Sequence, residues 1–229
     1  MKSGNLSGAT LVFDLDGTLV DTAPDLIGTL NHVLGGAGYG PRTLAEIRPF
    51  ISFGARRMIE EGLRAHGTEK PRRDVDALLE AFLAHYGENV ANESRTYPGV
   101  EAFLEQAKGA GARLAICTNK RADLSNQLIG ALGLNRFFHA VAGRDTFPVC
   151  KPHPDHLTGA VQMARGNPAR AIMIGDSETD IATAKAAGIP VVAVTFGYSE
   201  TPVAAFGPDM QISHYDELDQ AVSSLLSGL

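Results

Sequence analysis

Cysteine is scarce in this chain. Only Cys117 and Cys150 occur in 229 residues, both inside apolar segments. That usage excludes a disulfide-stapled fold and suits a reducing cytosol. Positive charge is not in excess either: 20 Lys and Arg stand against 26 Asp and Glu, a formal net charge of −6. A nucleic-acid surface needs a basic patch or stripe, so that class is set aside. No apolar run approaches the length of a membrane span. The polar opening MKSGNLSGAT is followed by no hydrophobic stretch of signal-peptide length. Internal repeats and low-complexity tracts are absent as well. What remains is a 44% hydrophobic share, enough for a substantial core. The length suits one large domain or a domain carrying an insertion. The expectation is a soluble cytoplasmic protein, monomeric or homodimeric, acting on a small molecule with no nucleic-acid or membrane partner.

The stretch LVFDLDGTLVDT, Leu11 to Thr22, organises the rest. Leu11-Val12-Phe13 delivers Asp14 and Asp16 with one leucine between them, and the run breaks at Gly17. In an extended strand, alternate side chains share a face, so the two carboxylates are expected to point the same way. From Asp25 to Val90 the apolar spacing is helical, over 25–34, 44–48, 54–66 and 74–90. The segment 54–66 sets Met58, Ile59 and Leu63 on one side against Arg56, Arg57 and Glu60 on the other. No strand pattern shows between Asp21 and Arg95. After Tyr97-Pro98-Gly99, strands expected at 113–117, 140–142, 171–174, 190–196 and 210–212 alternate with helices. Such alternation implies βαβ units and a parallel sheet covered on both faces. The expected architecture is α/β: a Rossmann-like core formed by residues 1–20 and 96–229, with an all-helical cap inserted at 21–95.

Polar residues cluster where the core strands end. The first strand ends in Asp14-Leu15-Asp16-Gly17-Thr18, the next in Thr118-Asn119, and a later one in Gly175-Asp176 with Asp180 four residues on. Lys151, in KPHPDHL, precedes a helix that Pro154 and Asp155 can start. In open α/β sheets ligands bind outside the carboxyl ends of the strands. Several carboxylates with oxygen donors suit Mg²⁺, while Thr118, Lys151 and the backbone N–H groups after Asp16 suit a phosphoryl group. One carboxylate can act as nucleophile and another as acid and base.

With these motifs in order over nearly the whole chain, FDLDGTLVDTAPD, CTNK, KPHPDHL and GDSETDIATAKAAGIP, the sequence resembles the haloacid dehalogenase superfamily. The likeness is to its Mg²⁺-dependent phosphatases with a helical cap, and among them to the phosphoglycolate phosphatases. The resemblance implies Asp14 as the nucleophile that becomes an aspartyl-phosphate. It implies Asp16 as the acid that protonates the leaving alkoxide and then the base that activates water. Thr118 and Lys151 would bind the transferring phosphoryl group, with Gly17 and Asn119 nearby. Asp14, the backbone carbonyl of Asp16 and Asp176 would hold Mg²⁺, with Asp180 completing or supporting that site. The implied substrate is a small phosphate ester, 2-phosphoglycolate first, with sugar phosphates, nucleotides and pyrophosphate open beside it. A phosphosugar mutase of the superfamily would tend to carry valine or isoleucine at Thr18, and a dehalogenase would have no use for Asp16. A non-catalytic phosphate-binding module or phospho-acceptor switch would gain nothing from a built-in hydrolytic base.

Substrate choice is expected to lie in the cap. Ser52 to Arg57 opens a helix, and a helix start attracts anions; the segment reads first as an ordinary helix start with solvated arginines, and second as a seat for a substrate carboxylate with Arg56 or Arg57. Lys120 and Arg121 are expected to be solvated residues at a helix start, with substrate contact as the lesser alternative. His153 and His156 lack the further partners of a zinc site and are expected to be structural or exposed, and Cys117 to be core packing.

Overall fold

The computed structural model describes residues 6–228. Residues 1–5, the first part of the expected polar start, lie outside the described residues, as does Leu229. Six strands form one parallel sheet in the order β5-β4-β1-β6-β7-β8. They are β1 (Thr10–Phe13), β4 (Arg113–Cys117), β5 (Ala140–Ala142), β6 (Ala171–Gly175), β7 (Val191–Val194) and β8 (Met210–Ile212). β1 lies in the middle, with Phe13 opposite Ile116 of β4 and Ile174 of β6.

The strands are buried on both faces because their sequences are apolar on both. Leu11 and Phe13 face one cluster with Ile116, Ile174 and Val194. Val12 faces the opposite cluster with Ala115, Cys117 and Met173. Helices α5 (Val100–Gly109), α6 (Ala122–Ala131) and α9 (Leu218–Leu226) cover the first face. Helices α7 (Pro154–Met163) and α8 (Glu178–Ala187) cover the second. Each large aliphatic side chain so buried contributes about 1.5–3 kcal/mol.

Between β1 and α5 the chain forms α1 (Ala23–Gly36), α2 (Leu44–Ile47), a 3₁₀ turn over Arg48–Phe53, α3 (Ala55–Arg64) and α4 (Arg72–Glu88). These helices pack on one another through Leu30, Leu34, Ile59, Leu63 and Phe82. Two short strands, β2 (Val20–Asp21) and β3 (Arg95–Thr96), pair antiparallel where the chain leaves and re-enters the core. A two-residue ladder is too short to show a period in sequence. Asp25 secures this neck by accepting hydrogen bonds from the Glu93 and Ser94 N–H groups and the Ser94 hydroxyl. From the core, the Tyr198 hydroxyl accepts from the Thr22 and Ala23 N–H groups at the start of α1 and donates to Asp21. Arg48 reaches back to the Phe196 and Gly197 carbonyls. Among the described residues, no helix is long and apolar enough to cross a membrane.

Candidate active site

The carboxyl ends of β1, β4 and β6 converge on one cavity of about 480 Å³ that also takes in α1, α3 and α4. β1 ends one residue earlier than its polar motif: Phe13 is the last strand residue, and Asp14 continues the ladder only by donating its N–H to Ile174. Asp16 belongs to the turn that follows, bridged to Val20. Asp14 and Asp16 nevertheless line the same cavity.

Asp14 meets Lys151, with Oδ1 2.9 Å from Nζ, and Lys151 also holds Asp180 at 2.5 Å. Asp14, Asp176 and Asp180 present carboxylate oxygens within 4.8 Å of one another, and all three residues are buried. Burial pushes Asp14 up to about 6; Lys151 opposes the shift, and Asp180 and Asp16 add to it. Asp176 is raised well above the ordinary carboxylate range by burial and then by Asp180 and Asp14. Lys151 loses solvation in the same place, yet Asp14 and Asp180 outweigh that loss and hold it charged. Three carboxylates against one ammonium leave a buried surplus of negative charge. A hard divalent cation fits that donor set.

Each member is fixed by its neighbours. Asp176 accepts from the Thr18 hydroxyl (3.0 Å) and the Tyr198 N–H (2.8 Å). Asp180 accepts at one oxygen from the Asp176 and Ser177 N–H groups and the Ser177 hydroxyl, while Lys151 takes the other. Asp180, with three donors at one oxygen and Lys151 at the other, is the more heavily engaged of these two carboxylates. Asn119 donates to the Lys151 carbonyl and so ties the β4 loop to the lysine loop. Thr118 is buried on the cavity wall.

Gly17 stands apart from the other expected substrate contacts. It does not line the cavity, and its N–H is spent on the Val20 carbonyl. Its φ of +82° makes the turn, and a Cβ there would fall 2.6 Å from Asp176 Oδ2. Arg56 and Arg57 line the cavity, but each already has a carboxylate among the helices between β2 and β3: Asp76 for Arg56, and Glu61 at 2.7 Å for Arg57.

Lys120 corrects the expectation of a solvated lysine. Its side chain is only 6% exposed, with Nζ 3.0 and 3.2 Å from the two Asp16 oxygens and 2.8 Å from the Tyr86 hydroxyl of α4. Burial alone would lower its pKa, but Asp16 and Tyr86 outweigh that effect and raise it. Arg121 is exposed and pairs with Asp123, as a helix-start residue should. His156 is structural and fully buried. Its Nδ1 accepts from the Lys151 N–H and its Nε2 lies 3.0 Å from the Gly143 carbonyl. Burial and then Lys151 push it down to about 4. His153 caps α7 by accepting from the Asp155 N–H. Cys117 is core packing, its thiol pushed up to about 12 by burial.

Residues 11–194 match the haloacid dehalogenase-like hydrolase family. The chain belongs to that family. It is 51% identical to a phosphoglycolate phosphatase of Mesorhizobium japonicum over 216 residues, covering 93% of this chain and 94% of that one. It is 43% identical to a phosphoglycolate phosphatase of Caulobacter vibrioides, covering 97% and 94% of the two chains. The crystal structure of a predicted phosphoglycolate phosphatase from Haemophilus somnus superposes with a TM-score of 0.87 at 29% identity, covering 94% of this chain and 98% of that one.

Proposed function

We propose that this protein is a Mg²⁺-dependent phosphomonoester hydrolase that converts 2-phosphoglycolate to glycolate and phosphate through an aspartyl-phosphate. One observation carries the chemistry: a buried carboxylate, Asp14, lies beside a buried ammonium and two further buried carboxylates, with a second acid, Asp16, facing the same cavity. The substrate is carried by the relatives, which bear that name at up to 51% identity over nearly their full length.

In this reading an Asp14 oxygen attacks phosphorus while the bond to the leaving oxygen breaks. Asp16 gives its proton to that oxygen, releasing glycolate. The Asp16 carboxylate then takes a proton from the water that attacks the aspartyl-phosphate, which frees phosphate and restores Asp14. Lys151 and Thr118 hold the phosphoryl oxygens throughout. Asp14, Asp176 and the Asp16 carbonyl would hold Mg²⁺ and Asp180 would brace them; the ion, when bound, supplies the positive charge that lets a carboxylate approach a phosphate dianion. Residues 21–95 act as the cap, which excludes water from the first step.

A panel of phosphomonoesters ranked by kcat/KM tests the substrate, with 2-phosphoglycolate set against sugar phosphates, nucleotides and pyrophosphate. If 2-phosphoglycolate ranks well below the others, the substrate is wrong and the chemistry stands. Asp14→Asn tests the chemistry: phosphate release equal to wild type would refute the nucleophile.

A further inference from the structure

The cavity that takes the phosphoryl group must also receive the remainder of the ester, and the cations around it are not equivalent. Arg56, Arg57 and Arg121 line the cavity with side chains 36%, 44% and 45% exposed, and each is paired with a carboxylate of its own. Lys151 is committed to Asp14 and Asp180. Arg144 is exposed on the loop after β5. Lys120 alone among these combines burial with contact to the acid Asp16. The cap residues next to Tyr86 on the same helix wall, Phe82 and Leu83, are apolar and offer an anion no partner.

We infer that Lys120 is the residue that reads the substrate's carboxylate, and so selects phosphate esters whose leaving group is a 2-hydroxy acid. The inference rests on the phosphatase reading above and deepens it. Asp16, as acid, has to touch the ester oxygen. In 2-phosphoglycolate the carboxylate carbon is two bonds from that oxygen. An ammonium 3.0 Å from the Asp16 carboxylate is therefore within reach of the substrate carboxylate when the ester oxygen sits at Asp16. The three N–H donors of an ammonium can serve Asp16, Tyr86 and one further anion at once. Tyr86 keeps this geometry from the cap side: its hydroxyl accepts from Lys120, and its ring lies 4.4 Å from Nζ. A cap in place thus completes the carboxylate-binding corner, whereas the phosphoryl corner is built entirely from the core.

The test compares 2-phosphoglycolate with 2-hydroxyethyl phosphate, which has the same chain length and no carboxylate. A charge-assisted hydrogen bond to a buried ammonium accounts for about a 10- to 100-fold preference in kcat/KM for the acidic ester. Lys120→Met is expected to slow both substrates, because Asp16 loses its partner, and to bring the ratio close to one. Arg144→Met and Arg56→Met are expected to leave the ratio as in wild type. Competitive inhibition by phosphonoacetate against methylphosphonate gives a second reading, of binding alone, with Lys120→Gln as the alternative variant. A Lys120 variant that slows both esters by the same factor and keeps the ratio overturns the assignment, as does collapse of the ratio in Arg144→Met instead. A wild-type enzyme that prefers the neutral ester refutes the proposed substrate itself, and is recognised before any variant is made.

Discussion

Lys151→Met is the sharpest perturbation of this site, since methionine keeps most of the buried volume and removes the charge. Asp14 is held up at about 6 against an ordinary 3.8 even with the ammonium 2.9 Å away. Keeping it ionised at neutral pH therefore already costs about 3 kcal/mol. Deleting the cation leaves Asp14 and Asp180 without their shared partner, and breaking a buried pair from one side costs about 3–5 kcal/mol. The expected loss in urea-unfolding free energy, without metal and at about pH 8, is of that size. The sign with pH follows from proton binding. A carboxyl whose folded pKa lies above its unfolded value takes up protons in the folded state first, so stability falls as pH rises through the folded pKa. The deficit of the variant should accordingly shrink at about pH 5.5, where Asp14 can be protonated. Mg²⁺ should also reduce it, by supplying the missing positive charge. Turnover should drop at least about 10³-fold, because the phosphoryl oxygens lose a fixed cation. A variant as stable as wild type at the higher pH, or one equally destabilised at both, would refute the charge accounting.

Four further outcomes follow from the same geometry. Mg²⁺ should raise the Tm of the wild-type protein more at about pH 8 than at about pH 5, since protons compete for the acidic trio; equal shifts in differential scanning fluorimetry would argue against Asp14, Asp176 and Asp180 as the binding locus. Gly197→Ala would bring a Cβ to 2.2 Å from the Asp176 Cβ, and kcat/KM should fall about 100-fold with weakened Mg²⁺ affinity, measured by steady-state kinetics over a metal titration. His156, neutral in the fold and at about 4, should cost stability as pH falls from 6.5 toward that value; urea titrations should show a flatter slope there for His156→Gln. Tyr198→Phe removes the hydroxyl that accepts from Thr22 and Ala23 at the start of α1, and thermal unfolding should register about 1–2 kcal/mol.

Much of the core was readable because its strands are apolar on both faces and end abruptly in polar residues. The limits of β4, β5 and β8 coincide with the apolar runs 113–117, 140–142 and 210–212. Asp14, Thr118, Lys151, Asp176 and Asp180 lie together because parallel strands place all their carboxyl ends on one edge. Local pattern served less well where the deciding partner is remote in sequence. Arg56 of α3 is claimed by Asp76 of α4, and Asp25 of α1 by the Glu93 and Ser94 N–H groups.

Lys120 is the instructive failure. A lysine at a helix start reads as solvated, and nothing within ten residues of it announces Tyr86 from α4 or Asp16 from the turn after β1. One signal was available. Once Lys151 is assigned to Asp14, the second acid of the motif is a half-buried carboxylate with no cation, and such a charge is costly unless paired. The basic residues arriving at that edge of the sheet just after a strand are Lys120 and Arg121 after β4 and Arg144, an exposed side chain, after β5. Arg121 can reach Asp123, two residues on. Asp123 is not needed by Lys120, and among the described residues Lys120 is the ammonium paired with Asp16. Pairing the acids of a catalytic motif with cations one by one, before calling any basic residue solvated, would have placed Lys120 inside the site and made the cap's tyrosine the next contact to seek.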